Sequence, residues 1–400
     1  MDRVPLFLYD EIDKKKHQKE GETLSMKSIT EILGGAQIVF DISFDLQDIF
    51  EEYLTEQHRA FLAMLRVIEE HLPILGIRYR GRGRKPYETQ PIIRAFLAKS
   101  FFTIESTTDL LQRLRSDSSL RRICGFSNVP SASTFSRRLK IFSDQHIMEQ
   151  TLYKMVRKYH EGRLVGHISR DSTAIEAREK PANKKKNVVN QNKPKRRRGR
   201  PRKGESRPAK QKKRLFRQLS MSCGKALKEL DRACAWGCKK NSQGNIQFWK
   251  GYKLHLDVTD AGIPVTAVVT GANVHDSQTA IPMEKLTERN VTHLYSLMDA
   301  AYDAPEIRDY IGGRGRVALI DHNKRRKDSR KQMDPAMKQR FRIRSTVERS
   351  NSHLKDWLLP SKLMVRGHKK VTFCMMTGVV CLAAIKILQH FILPALEALE

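Results

Sequence analysis

Between Lys184 and Arg214 the chain carries sixteen Lys or Arg and a single Glu, a net charge of +15 in 31 residues. A segment of this composition has too little apolar surface to offset the entropy of ordering it. It is expected to be disordered, and it limits how the chain can fold. Any core must be assembled around it, and the fold expected has a basic disordered insertion at this run, within an inserted stretch of roughly residues 178–245. The densest part, KPKRRRGRPRKG at 193–204, begins about twenty residues after a short acidic motif, SRDSTAIEA.

The insertion holds about half of a net charge of +31 over 400 residues. So basic a chain repels itself until it meets a polyanion, and nucleic acid is the usual one. A membrane surface is the competing polyanion, but it calls for an amphipathic or lipid anchor. The first residues, MDRVPLFLYDEIDKKK, mix acids with a short apolar patch and do not read as a signal peptide. Val371–Ile385 is a run of fifteen residues without a charge, stopped by Lys386. A span needs about 20 apolar residues, so a buried C-terminal helix is expected. The six cysteines form no CxxC pair. Cys223, Cys234 and Cys238 with His255 match no common structural zinc spacing, and free thiols in a reducing cytoplasm are the simpler reading.

Within the insertion, RGRP at 198–201 looks like the core of an AT-hook. In such a segment Arg side chains enter the narrow, strongly negative minor groove of A·T tracts. Arg198, Arg200 and Arg202 are accordingly expected to bind DNA. The alternative for the same residues is sequence-independent attraction to phosphates.

Hydrophobic periodicity divides the remainder. Apolar residues recur at three and four over 44–75, 89–102, 106–116 and 131–160, which predicts helices. Residues 1–43 give no clear signal, and 44–160 read as a helical, DNA-binding N-terminal domain. PSASTFSRRLKIF places Phe135, Leu139 and Phe142 inward and Arg137, Arg138 and Lys140 on the polar side. That pattern is similar to a helix-turn-helix reader, although a solvated basic face gives the same pattern. From residue 164 the period changes. LVGHISRDSTAIEA, FWKGYKLHLDVTD, IPVTAVVTGA, HLYSLMDAAY and RVALIDHN read as strands. Helical patterns at 276–289, 304–312 and 334–358 alternate with them or follow them. The order implies an α/β layer fold with a mixed sheet over 161–400.

Three elements carry chemistry. Asp171 and Asp299 are placed at the ends of apolar strands, where a carboxylate ordinarily caps a turn. FRIRSTVERSNSHLKDW reads as a helix on which Phe341, Arg344, Glu348 and Lys355 are spaced by 3, 4 and 7. At roughly 100° per residue these fall within about 60° of one another. Ile343, Val347, Leu354 and Leu358 form the neighbouring apolar stripe. An ordinary i,i+4 ion pair between Arg344 and Glu348 explains part of that pattern equally well. Asp303, Asp321 and the His275–Asp276 pair are nearby alternatives to Asp299. Trp357 reads as a core or interface residue, or as a platform for an unpaired base.

Together these residues resemble the DDE transposases of bacterial insertion sequences. The resemblance is to the group whose signature is Tyr, two residues, Arg, three residues, Glu, six residues, Lys. Arg344, Glu348 and Lys355 keep the full spacing, and Phe341 stands where that group has Tyr. DST at 171–173 and DAAY at 299–302 resemble the two Asp motifs. GYKLHLDVTDAGIPVTAVVTGANVHDS looks like the linking strands, and the likeness extends over about residues 75–390.

The resemblance implies an RNase H-like catalytic domain in which Asp171, Asp299 and Glu348 hold two Mg²⁺ ions, with Mn²⁺ as a substitute. It implies that Arg344 and Lys355 hold the phosphates of the cut end. The substrate would be double-stranded DNA, both terminal inverted repeats and target, handled by a homodimer at synapsis in a bacterial cytoplasm, at the nucleoid, with no membrane partner. A catalytically silent DNA-binding descendant and a host nuclease or resolvase on the same fold are the other readings.

Overall fold

The computed structural model describes residues 54–73, 86–182, 213–240, 243–323 and 333–397. They form two units. The first comprises Met1–Tyr159, Ser352–Pro360 and Phe373–Glu400, and the second His160–Asn351 and Ser361–Thr372.

Among the described residues, the first unit has six helices before the sheet: α1 (Glu56–Glu69), α2 (Thr89–Phe101), α3 (Thr107–Ser116), α4 (Ser118–Cys124), α5 (Ala132–Asp144) and α6 (Ile147–His160). α1 is capped by Thr55, whose side chain accepts from the His58 N–H, and it buries Phe61, Met64, Leu65 and Ile68 at helical spacing. Ser106 and Asp109 form a capping box on α3. Residues 44–53 of the first predicted helix lie outside the described residues.

The predicted single helix over 131–160 is two helices. His146, at φ 53°, interrupts it, and its Nδ1 lies 3.0 Å from Glu149 Oε1 at the start of α6. Histidine is among the residues that tolerate this left-handed conformation. Phe96 is the hub of the core, with ring centroids 5.6 Å from Phe135, 6.3 Å from Phe142 and 5.4 Å from Phe373. Phe373 packs in this core, and Phe373–Glu400 belong to the first unit.

The second unit is built on a seven-stranded sheet: β1 (Leu164–Ala177), β2 (Ala235–Lys240), β3 (Ile246–Val258), β4 (Pro264–Gly271), β5 (Thr292–Met298), β6 (Val317–Ile320) and β7 (Lys362–Leu363). The order is β2-β3-β1-β5-β6, with β4 also on β3 and β7 also on β1. β1 is antiparallel to β3 and parallel to β5, and β5 is parallel to β6.

The basic insertion is folded over part of its length. Residues 183–212 lie outside the described residues, but 213–240 are folded as α7 (Arg214–Ser220), α8 (Cys223–Lys228) and β2. Leu215 and Leu219 pack against the core cluster that includes Ile281, Ile307 and Ile311, and Cys223, Ala226, Leu230 and Cys234 are buried. Local apolar residues at 215–234 therefore outweigh the basic composition of the surrounding stretch.

α9 (Ser277–Asn290) is joined to the sheet by a buried polar network, and α10 (Pro305–Gly312) connects β5 to β6. Arg170 on β1 donates to both Asp257 oxygens at 2.7 Å, to Glu284 at 3.0 Å and to the Ala280 carbonyl at 2.9 Å. Glu284 also lies 3.0 Å from His293. The His293 contact and the salt bridges hold the Glu284 carboxyl at about 2 against the opposing effect of burial. A buried charge set is tolerable only when each member is matched in this way. The chain then runs through α11 (Pro335–Phe341), a 3₁₀ turn (Arg342–Arg344), α12 (Ser345–His353) and a π turn (Leu354–Leu358). It ends in α13 (His368–Ile387) and α14 (Leu393–Glu397). By length and composition His368–Glu397 could cross a membrane. Met375–Ile385, however, are all buried in the protein, as a core helix requires.

Candidate active site

Strand register brings the first two carboxylates together. β1 and β5 pair in parallel from Leu164↔Thr292 to Ser169↔Leu297. Two residues further along each strand stand Asp171 and Asp299. Equal steps from a paired position put both on the same face of neighbouring strands, about 4.8 Å apart in backbone spacing. Asp171 is not at a strand end as predicted. It lies in the middle of β1, opposite Leu256 on β3. Asp299 does follow the last residue of β5, and it caps the turn Ala300–Tyr302, its Oδ1 accepting from the Ala301 N–H at 2.9 Å.

The electrostatics agree with this proximity. Burial pushes the Asp171 carboxyl up to about 6, and Asp299 and Asp276 add to the rise, against the Ser172 N–H and Arg344. Asp299 is also raised, by burial first and then by Asp276, with the Ala301 N–H and Arg344 opposing. Arg344 thus acts on both carboxylates. Asp276, an alternative to Asp299 on sequence grounds, sits in the same cluster, 2.9 Å from Lys253 Nζ. Burial raises its carboxyl, but His255 and Lys253 bring it below the ordinary value. The other two alternatives have ordinary duties. Asp303 pairs with Arg308 at 3.0 Å and accepts from the Asn323 N–H. Asp321 accepts from the His322 N–H.

Two residues emerge that the sequence reading passed over. Asn351 on α12 donates from Nδ2 to Asp171 Oδ2 at 3.2 Å. It is three residues after Glu348, on the same side of the helix, and that spacing was the available signal. Tyr302 of the DAAY motif is buried, and its hydroxyl has no hydrogen-bond partner among the described residues, as is also true of Asn351 Oδ1. Burial and the carboxylates of Asp276, Asp171 and Asp299 hold the Tyr302 phenol in its neutral form, well above its ordinary range.

Glu348 is carried by α12, which seats Thr346, Val347, Ser350 and Asn351 inward. The Ser350 hydroxyl donates to the Thr346 carbonyl at 2.9 Å, and Ser169 Oγ reaches the Ile343 carbonyl at 3.4 Å. The Glu348 side chain is 53% exposed and accepts from Arg344 Nη2 at 2.5 Å. That is the i,i+4 pair expected from spacing alone. Among the described residues no three Asp, Glu, His or Cys side chains form a ready-made metal-binding group. The donor chemistry nevertheless suits a hard divalent cation. Asp171 and Asp299 are oxygen donors held together at an energetic cost, beside polar atoms that lack partners.

The remaining predicted DNA contacts are dispersed. Lys355 is exposed on the π turn and belongs to the first unit, so the single α-helical stripe drawn through Phe341, Arg344, Glu348 and Lys355 is interrupted by 3₁₀ and π turns. Arg137 and Lys140 are exposed on α5. Arg138 is a correction. It is 7% exposed and donates to the Tyr87 carbonyl at 2.7 Å, which makes it part of the core side of α5. Arg198, Arg200 and Arg202 lie outside the described residues.

A mixed sheet of this order, with one aspartate within β1, another directly after its parallel neighbour β5 and a glutamate on a following helix, defines the RNase H-like class of nucleic-acid-processing folds. Residues 166–383 match the family described as Transposase DDE domain, and residues 48–141 match Transposase domain (DUF772). The chain belongs to the DDE transposase family, of the insertion-sequence kind. No curated protein matches it.

Proposed function

We propose that this transposase binds the terminal inverted repeats of its element, hydrolyses the phosphodiester at each end and joins the freed 3′-OH to target DNA. The observation that carries this reading is the shared register of Asp171 and Asp299, which converges two carboxylates that burial and mutual repulsion disfavour. Asp171, Asp299 and Glu348 are the catalytic carboxylates and the ligands of Mg²⁺, with Mn²⁺ as a substitute and two ions in all. When bound, such cations activate the attacking oxygen and stabilise the leaving one in an in-line displacement at phosphorus. Asn351 holds the Asp171 carboxylate in one orientation. Glu348 exchanges its Arg344 partner for the site, and Arg344 is then available to hold a non-bridging phosphate oxygen, with Lys355 gripping the cut end. Phe341 leaves the signature group without its Tyr hydroxyl, and the helix keeps an aromatic ring there, over which the Arg344 guanidinium lies at 6.0 Å. Outside the site, Arg137, Lys140, Arg198, Arg200 and Arg202 hold DNA phosphates or the minor groove, and two copies act at synapsis.

The test is nicking of a duplex carrying the element's end, with and without Mg²⁺. Asp171→Ala, Asp299→Ala and Glu348→Ala should each reduce the rate by about 10³-fold or more, on the order of the loss when a metal-centred machinery is removed. Nicking that survives all three substitutions would overturn the assignment. A wild-type protein that binds the end without ever nicking it would support the silent DNA-binding reading.

A further inference from the structure

The β2–β3 ribbon carries an aromatic face that the chemistry of the carboxylate site does not use. Its antiparallel register is Trp236↔Lys250, Cys238↔Phe248 and Lys240↔Ile246. Side chains alternate across a strand, so Trp236, Cys238, Ile246, Phe248 and Lys250 share one face. The three large apolar members are 59%, 57% and 69% exposed for Trp236, Ile246 and Phe248. These are among the most exposed large hydrophobic side chains described, and they lie side by side. The opposite face is covered at Gly237 and Trp249, while Lys239 and Gln247 further out are exposed. Trp249 is buried and lies across Gly237, where an added Cβ would stand 2.4 Å from its ring. Trp249 Nε1 donates to the Tyr252 carbonyl at 3.4 Å. One side of the ribbon thus buries its aromatic ring, and the other presents two aromatic rings and an isoleucine to solvent.

Charge identifies the occupant. From Arg232 to Leu256 there is no Asp or Glu, while Arg232, Lys239, Lys240, Lys250 and Lys253 supply five positive charges. A second copy of this chain would bring an identical positive ribbon against it, and like charges face to face repel. A polyanion that also offers flat apolar faces meets both demands, and nucleic acid is such a polymer. We infer that the Trp236–Phe248 face of the β2–β3 ribbon is a DNA contact that receives unstacked bases or wedges into a distorted base step, with the flanking lysines on the phosphates. Register sets its place. Lys250 and Phe248 are six and eight residues along β3 from Leu256, the partner of Asp171. At about 3.3 Å per residue that is roughly 20–26 Å, so the contact falls roughly six to eight base pairs from the carboxylates at about 3.4 Å per pair. Apolar wedges kink duplexes in this manner.

The inference rests on the chain's handling of DNA and not on its cleaving it, so the experiment is run in EDTA. Trp249→Phe with Trp357→Phe leaves Trp236 as the one remaining tryptophan of three. In that background, a 30-base-pair duplex with a two-nucleotide unpaired bulge should quench Trp236 emission by half or more. The protein should prefer the bulged duplex to the flush one by on the order of tenfold. Trp236→Ala with Phe248→Ala should abolish that preference while leaving affinity for the flush duplex within about twofold. Phe248→Tyr should retain the preference. Unchanged Trp236 emission at saturating bulged DNA would overturn the proposal. So would a double variant that keeps the preference, or one that only converts a dimer to a monomer in sedimentation.

Discussion

Asp171, the proposed metal ligand, is held in place at the expense of the fold. Its carboxyl is raised from an ordinary 3.8 to about 6, so the folded protein holds that proton more tightly than the unfolded chain. Stability contributed by the neutral acid is full below about pH 4 and is lost as pH rises through about 6. At pH 7 the metal-free protein carries the whole penalty. Asp171→Asn should therefore raise stability at pH 7 by roughly 1–3 kcal/mol, since each tenfold difference in proton affinity between the folded and unfolded chain is worth about 1.4 kcal/mol, while ending strand cleavage. Calorimetry at pH 7 and at pH 4 tests the sign, because the gain should disappear at the lower pH. Added Mg²⁺ should raise the melting temperature of the wild type at pH 7.5 and do little for Asp171→Asn. A change in melting temperature that is equal in both proteins would count against Asp171 as a ligand. The neighbouring Asn351 should show itself differently. Asn351→Ala removes one donor to a carboxylate and should slow nicking about tenfold, while Asn351→Gln restores part of the rate.

Element by element, much of this arrangement can be read from residues. Asp299 minus Asp171 equals Thr292 minus Leu164, and alternating apolar residues mark both strands, so the pairing of the two aspartates was present as arithmetic. Phe135, Arg138, Leu139 and Phe142 are spaced 3, 1 and 3, the rhythm of a core stripe. Charge type concealed that Arg138 belongs to it. The break at His146 carries no Gly or Pro, and hence no turn signal, since histidine enters the left-handed region unannounced. The folding of 213–240 was hidden because a composition window centred on the basic run averages over Leu215, Leu219, Cys223 and Leu230. Gly251 lies on β3 opposite Glu176 of β1. A Cβ there would stand 2.1 Å from the Ile175 carbonyl of β1, where neither backbone can yield. Gly251→Ala should cost about 3 kcal/mol or more and shift the denaturation midpoint accordingly, whereas Gly244→Ala at the open end of the ribbon should cost only the strain of its positive φ.

For the whole molecule, a net charge of +31 makes ionic strength the main experimental variable. If six to ten phosphates are contacted, affinity for a flush duplex should fall roughly 10³–10⁵-fold between 50 and 200 mM salt. Arg198→Ala with Arg200→Ala should make the log–log slope shallower by about two. A slope that is unaltered by the pair would remove the 193–204 run from the DNA footprint. The chain path has another consequence. The core around Phe96, Phe135 and Phe142 is completed by Phe373, and residues 160–372 are synthesised in between. At about 5–20 residues per second, the ribosome needs roughly 10–40 s to supply the missing helix. During that interval the nascent first unit presents an open apolar seat. A message truncated before codon 373 should yield a product that chaperones retain and proteases clear, so the cell would dispose of incomplete copies before they could compete for DNA.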